Sequence, residues 1–210
     1  MPSEGTVYLV NSSSLDTEAK AQAFTSAGLR VELHRLPSDL MNANAFARPC
    51  CAVCCIAALS PEDMELIKRL RQWPARVPVI VVAAYGDVKA AVQAIKLGAA
   101  EFLEEPVPDG LLVYLTRQCI AADWEERATL QKSLEAQRKL ATLTGRERDV
   151  LAGLLDGLSS KEIAANLNLS IKSIDTYRGK LMTKMEARST VCLIKEIVFL
   201  QLSRKLNSQI

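Results

Sequence analysis

Short apolar runs alternating with amphipathic helical stretches over the first 120 residues constrain the fold of this chain more than any other feature. The runs are TVYLV (6–10), LRVEL (29–33), CAVCCI (51–56), PVIVVA (78–83) and AAEFL (99–103). Between them, residues 15–27 and 88–97 read as helices, closed by Gly28 and Gly98 where a helix end favours a left-handed residue. Ser60-Pro61-Glu62-Asp63 opens another helix with a capping hydroxyl, Pro at the first helical position and acids in the first turn. Strands that are apolar almost throughout must be covered on both faces. The pattern therefore predicts an α/β domain with a five-stranded, doubly wound parallel sheet.

From Pro108 to about Leu140 the pattern is helical, with Trp124, Leu130 and Leu134 as a thin apolar stripe. That stripe suits either a short coiled coil with a second copy or a solvated connector. The expected organisation is a sheet domain over 1–120, a linker helix over 121–140 and a small all-α domain of four helices over 141–204. Charge divides the same way: residues 143–210 hold 11 Lys and Arg against 7 Asp and Glu, whereas residues 1–142 hold 15 against 17. A basic minority domain points to a polyanionic partner.

In that last segment Thr144 with Glu147 and Ser159 with Glu162 have the spacing of capping boxes, so two helix starts are set locally. A third helix starts at Ser170, leaving a turn of a few residues, and a helix, a tight turn and a second helix make a helix-turn-helix. From Ile171 to Lys184, Ile174, Tyr177, Leu181 and Met185 recur at helical spacing as the inward face. Lys172, Asp175, Thr176, Gly179 and Lys180 form the outward face, which is rich in groups suited to phosphates and base edges.

LTGRERDVL, GLSSKEIAANLNLSIKSIDTYRGKLMTKM and ARSTVCLIKEI resemble the DNA-binding domain of the LuxR/FixJ/NarL family of bacterial regulators over about 58 residues. The resemblance implies a regulator that binds double-stranded DNA as a homodimer, with RNA polymerase a further candidate partner. By position it assigns base-edge contacts to Asp175, Thr176 and Gly179. Phosphate contacts fall to Lys161, Lys172, Ser173, Arg178 and Lys180, and a dimer face to Val191, Ile194, Ile197 and Val198.

The N-terminal segment resembles the receiver domains that usually precede this one, but only in framework. A receiver carries metal-binding acids after its first strand, a phosphate-accepting Asp after the third, a hydroxyl on the fourth and a Lys after the fifth. Here those positions are Asn11 and Ser12, Cys55, Ala83 and Glu105. Magnesium favours carboxylate oxygens, and Glu105 would repel a phosphoryl group. The expectation is a receiver-like domain without aspartyl phosphorylation, metal or phosphodonor kinase, used for dimerisation or partner contact.

Cys50, Cys51, Cys54 and Cys55 include a C-x-x-C. Alternation along a strand sends Cys51 and Cys55 to one face and Cys50 and Cys54 to the other, which makes buried packing the first reading. Redox sensing at Cys55 and a metal site are the alternatives, as is a small ligand in the altered pocket. An adaptor that titrates another regulator is a further one, disfavoured by Lys172, Arg178 and Lys180. The one histidine, His34, has no arranged nucleophile, and no phosphate-binding glycine loop occurs, so no enzyme or cofactor is expected. The N-terminus MPSEGTVYLV lacks a basic stretch before a long apolar run, and no stretch has the ~18 apolar residues of a membrane span, so the expected location is the cytoplasm.

Overall fold

Seven consecutive residues of β3 (Cys50–Ile56) are buried, and a strand in that situation belongs at the middle of a sheet covered on both sides. The computed structural model, which describes residues 5–11, 17–41, 46–72 and 76–207, places it there. β1 (Thr6–Asn11), β2 (Arg30–His34), β4 (Val79–Ala83) and β5 (Glu101–Glu104) complete a parallel sheet of order β2-β1-β3-β4-β5. In it Val7 pairs with Cys51, and Cys54 with Val81.

Pleating divides β3 as the alternation predicts. Cys50, Ala52, Cys54 and Ile56 join one core with Leu40 of α2 (Pro37–Met41), Leu66, Ile67 and Leu70 of α3 (Pro61–Gln72) and Ala94 of α4 (Val88–Leu97). Cys51, Val53 and Cys55 join the opposite core with Phe24 of α1 (Thr17–Ser26) and Leu112 and Ile120 of α5 (Asp109–Ala141). The four thiols therefore lie in two separate layers. His34 contributes its ring to a tilted contact with Tyr8, whose hydroxyl accepts from the Ala47 amide at 2.6 Å.

Helix ends follow their local chemistry. Gly28 and Gly98 take φ of +78° and +107°, a region closed to most side chains. Ser60 and Asp63 cap α3 reciprocally.

The chain divides into two units, Met1–Ala128 and Thr129–Ile210. The stretch expected as a linker helix, 121–140, lies within the helix α5, and its buried residues belong to one unit or the other. In the first unit, Leu112, Thr116, Ile120 and Asp123 are buried along one stripe. The Asp123 carboxylate accepts from the Cys50 amide at 2.9 Å and forms an ion pair with Arg48. In the second, Ala136 and Leu140 enter the helical core. Trp124, Leu130 and Leu134 are exposed.

The second unit adds α6 (Gly145–Leu155), α7 (Ser160–Leu167), α8 (Ile171–Lys184) and α9 (Thr190–Asn207) around Val150, Leu154, Ile163, Ile174, Leu181 and Leu193. No helix among the described residues is long and apolar enough to cross a membrane.

Burial pushes the Asp123 carboxyl up from its ordinary value, against the Cys50 amide and the Arg48 charge that lower it. The pair thus carries a desolvation cost, and removing one partner leaves the other charge buried without it, a loss of about 3–5 kcal/mol in comparable pairs. Asp123→Ala is expected to lower the stability of the first unit by that amount, read as a shift of its urea unfolding transition by circular dichroism. An unchanged midpoint would remove the pair from the account of how α5 is held.

Candidate nucleic-acid interface and sheet-edge pocket

The helix-turn-helix is built from its caps inward. Thr144 and Glu147 form a full capping box at α6, as do Ser159 and Glu162 at α7, so both predicted starts are present. Asn168 closes α7 in the left-handed region at φ +53°, and Ser170 caps α8 by accepting from the Ser173 amide. The turn between α7 and α8 is thereby specified by side chains at each end.

Ile174 and Leu181 of α8 and its C-cap Met185 are buried, with Tyr177 packed against the same core. Lys172, Asp175, Thr176, Gly179 and Lys180 are exposed along the opposite face, and Lys161 is exposed on α7. A Cβ at Gly179 would meet open space, so no close packing requires glycine there; its cost is about 1 kcal/mol of helix stability relative to Ala.

Neighbours engage several of these groups. The Ser160 hydroxyl donates to Asp175 Oδ1 at 3.2 Å, and Thr176 Oγ1 donates to the Lys172 carbonyl at 2.9 Å. Ser173 shares a 2.8 Å contact with the Ser170 hydroxyl. Arg178 is half-buried and donates to Thr190 Oγ1 at 2.6 Å, so its guanidinium also braces the start of α9. Sequence reasoning passed over Ser160, Thr190 and Lys184, because their roles lie across helices and leave no local spacing.

The face assigned to Val191, Ile194, Ile197 and Val198 needs one correction. Ile197 lies in the core of its own unit with Leu193 and Leu200, spaced i, i+4 and i+7, and is not available to a partner. Val191 and Val198 are exposed and Ile194 half-buried, while Phe199 and Leu202 add exposed apolar surface.

At the carboxyl edge of the sheet, Asn11 ends β1 and donates to Thr17 Oγ1 at 3.0 Å. Ser12 lies outside the described residues. Ala83 and Cys55 are fully buried, and burial pushes the Cys55 thiol up to about 12. Glu105, after β5, meets Lys20 of α1 at 2.6 Å in an ion pair set off the ideal hydrogen-bond angle, with both side chains largely buried. Its other oxygen accepts from the Val107 amide at 2.7 Å. Burial raises the Glu105 carboxyl, but the Lys20 contact and the Val107 amide prevail and hold it below its ordinary value. A shallow groove is lined by Leu59, Tyr85, Asp87, Lys89 and Gln93, and Asn11, Cys55, Ala83 and Glu105 are not among its described lining residues.

The charge that orients α8 is Glu147. Its Oε2 accepts from Lys184 Nζ at 2.7 Å and from the Thr144 amide at 2.8 Å, while Lys184 also reaches the Thr142 carbonyl. Lys184 foremost, then the Thr144 amide, hold the Glu147 carboxyl down to about 2 from 4.5. A folded value below the unfolded one means stability fully present above about 4.5 and lost as pH falls toward 2. Thermal melts across that window are expected to show a falling midpoint for the helical unit, with a shallower fall in Glu147→Gln. Equal slopes in the two proteins would refute the assignment.

Residues 141–197 match the luxR family of bacterial regulatory proteins. The chain is 33% identical to the transcriptional regulatory protein FixJ of Azorhizobium caulinodans over 195 residues, 93% of this chain and 92% of that one. Among solved structures, the response regulator StyR superposes with a TM-score of 0.80 at 26% identity, covering 92% of this chain and 98% of StyR. Full-length FixJ from B. japonicum does so with 0.56 at 29% identity, covering 94% and 98%. Five parallel strands with receiver topology, joined to a helical domain with a polar, exposed recognition face, make this chain a FixJ-type response regulator of the luxR family, with a receiver domain and a DNA-binding domain.

Proposed function

We propose that this protein is a sequence-specific transcription regulator that acts on DNA in the cytoplasm without aspartyl phosphorylation, its receiver domain serving dimerisation or partner contact. The observation that carries the second half of this reading is the Lys20–Glu105 ion pair beside the buried Cys55 thiol. A receiver needs a carboxylate nucleophile, a magnesium ion and a cation for the phosphoryl oxygens. Here the nucleophile position holds a thiol, and the position of the cation holds an anion already bound by Lys20. Magnesium does not fit this set: Asn11, Cys55 and Ala83 present no carboxylate, and that of Glu105 is taken. Relatives of this type are typically phosphorylation-dependent, so the reading sets this chain apart.

On the DNA side, the exposed face of α8 supports base contacts by Asp175, Thr176 and Gly179, with Lys161, Lys172 and Lys180 on phosphates. Ser173 and Arg178 join the phosphate set from half-buried positions. An Asp at a base edge accepts from a cytosine amino group. A homodimer through Val191, Ile194 and Val198 is supported by their exposure on α9, and two copies would read two half-sites.

Two measurements test the reading. Binding to DNA is expected to weaken steeply with salt, because Lys and Arg release counterions at phosphates. Lys180→Ala is expected to weaken all sequences alike and lower the salt slope by about one, whereas Thr176→Ala changes which sequences are enriched from a random pool. No DNA binding at low salt would end the proposal. Separately, intact-mass analysis after acetyl phosphate with magnesium is expected to show no phosphoryl adduct on the wild type, nor on Cys55→Asp alone. A stoichiometric adduct on the wild type would return the protein to phosphorylation-dependent signalling.

A further inference from the structure

Ser159 and Ser160 stand side by side at the start of α7 and have different partners. The Ser159 hydroxyl is consumed by its own helix: it donates to Glu162 Oε2 at 2.6 Å and accepts from the Glu162 amide at 3.3 Å. Ser160 is not needed for that capping box. Its spacing to Ile163 and Ala164, three and four residues on, puts it on the face of α7 that enters the helical core. There it is half-buried, and its hydroxyl donates across the turn to Asp175 Oδ1 at 3.2 Å. Asp175 itself is exposed and follows the fully buried Ile174, so the α8 backbone is anchored at this point and the side-chain torsions are what remain to be set.

We propose that Ser160 is a specificity-determining positioning residue: its hydroxyl holds Asp175 Oδ1, Oδ2 accepts from the amino group of one cytosine, and the preference at a single base pair follows. This rests on the reading of α8 as the helix that contacts base edges. A carboxylate is an acceptor only, and beside phosphates it is repelled unless it meets a donor. In the major groove cytosine offers its N4 amino group, the usual partner of Asp, whereas guanine and thymine present acceptors at that edge. Discrimination needs an acceptor that stays in place. An Asp free about its two torsions can turn toward water when the wrong base lies opposite, which lowers the cost of a mismatch. The Ser160 hydroxyl closes that route, and it does so before DNA arrives, so less side-chain freedom is lost on binding. Docking on DNA also removes water from the pair, and a hydrogen bond that is weak in solvent strengthens where the dielectric is lower.

The experiment selects duplexes from a random pool with the full chain as wild type, Ser160→Ala, Ser160→Thr, Asp175→Ala and the variant carrying both alanines. Kd is then measured on the wild-type site and on the three duplexes changed at the pair that Asp175→Ala ceases to read. Wild type is expected to prefer cytosine there by about tenfold, and Ser160→Ala by only about two- to threefold, with the preferences at other positions kept. Ser160→Thr, which keeps the hydroxyl, restores most of the ratio, and the double variant has the ratio of Asp175→Ala. Thermal melts check that each variant is folded. An equal loss of affinity for all four duplexes in Ser160→Ala is what a phosphate contact or a structural role at the start of α7 gives; it overturns the proposal and leaves the reading of α8 standing. A wild-type ratio in Ser160→Ala does the same. A site unchanged at every position in Asp175→Ala overturns the cytosine contact and the proposal with it. Enrichment of no sequence by the wild type overturns the reading of α8 itself.

Discussion

Everything in the N-terminal unit depends on β3 having water on neither face. Its backbone pairs with β1 on one side and β4 on the other, and its side chains alternate between two cores. A strand so enclosed requires helices above and below, and parallel neighbours whose connections can supply them. Small side chains suit the position. Cysteine and alanine let α3 and α5 approach the centre of the sheet, where larger residues would overfill the layers. The same enclosure desolvates the thiols: burial pushes Cys50 up to about 12 and raises Cys54 further still.

The same enclosure fixes the carboxyl edge of the sheet, where Asn11, Cys55 and Ala83 lie at or next to the ends of β1, β3 and β4 and Glu105 follows β5. The strand order is set by the packing beneath this edge. A buried anion at 105 would be costly alone. Lys20 of α1 offsets part of that cost by pairing with it, and the Val107 amide satisfies the second oxygen.

In the C-terminal unit, two kinds of interaction divide the labour. Capping boxes determine where α6 and α7 begin, and each is complete within four residues of sequence. The angle at which α8 is presented depends on contacts between helices: Lys184 on Glu147, Arg178 on Thr190 and Ser160 on Asp175. Glu147 takes part in both, as the capping acid of α6 and the anchor for the end of α8, which is why it is buried although charged.

Periodicity, turn chemistry and caps carried the five strands, the helix ends at Gly28 and Gly98, and the outward face of α8, because each of these is decided within a few residues. The resemblance over about 58 residues within 143–200 named the candidate interface residue by residue. Partners distant in sequence were beyond such reasoning. Ile197 has the spacing of an exposed dimer face, yet it turns into its own core because Leu193 and Leu200 share its stripe. Residues 121–140 read as a linker helix, and which of its side chains enter a core, Asp123 beside β3 and Ala136 among the C-terminal helices, depends on segments distant in sequence. Glu105 looked like an unpaired negative charge until the fold brought Lys20 to it. Local sequence determined which elements form and where they stop, since those free energies come from hydrogen bonds and dihedrals within one turn. Tertiary structure alone decided which charges are neutralised and which apolar faces are consumed, since burial and ion pairing depend on which distant segments the packed chain brings together.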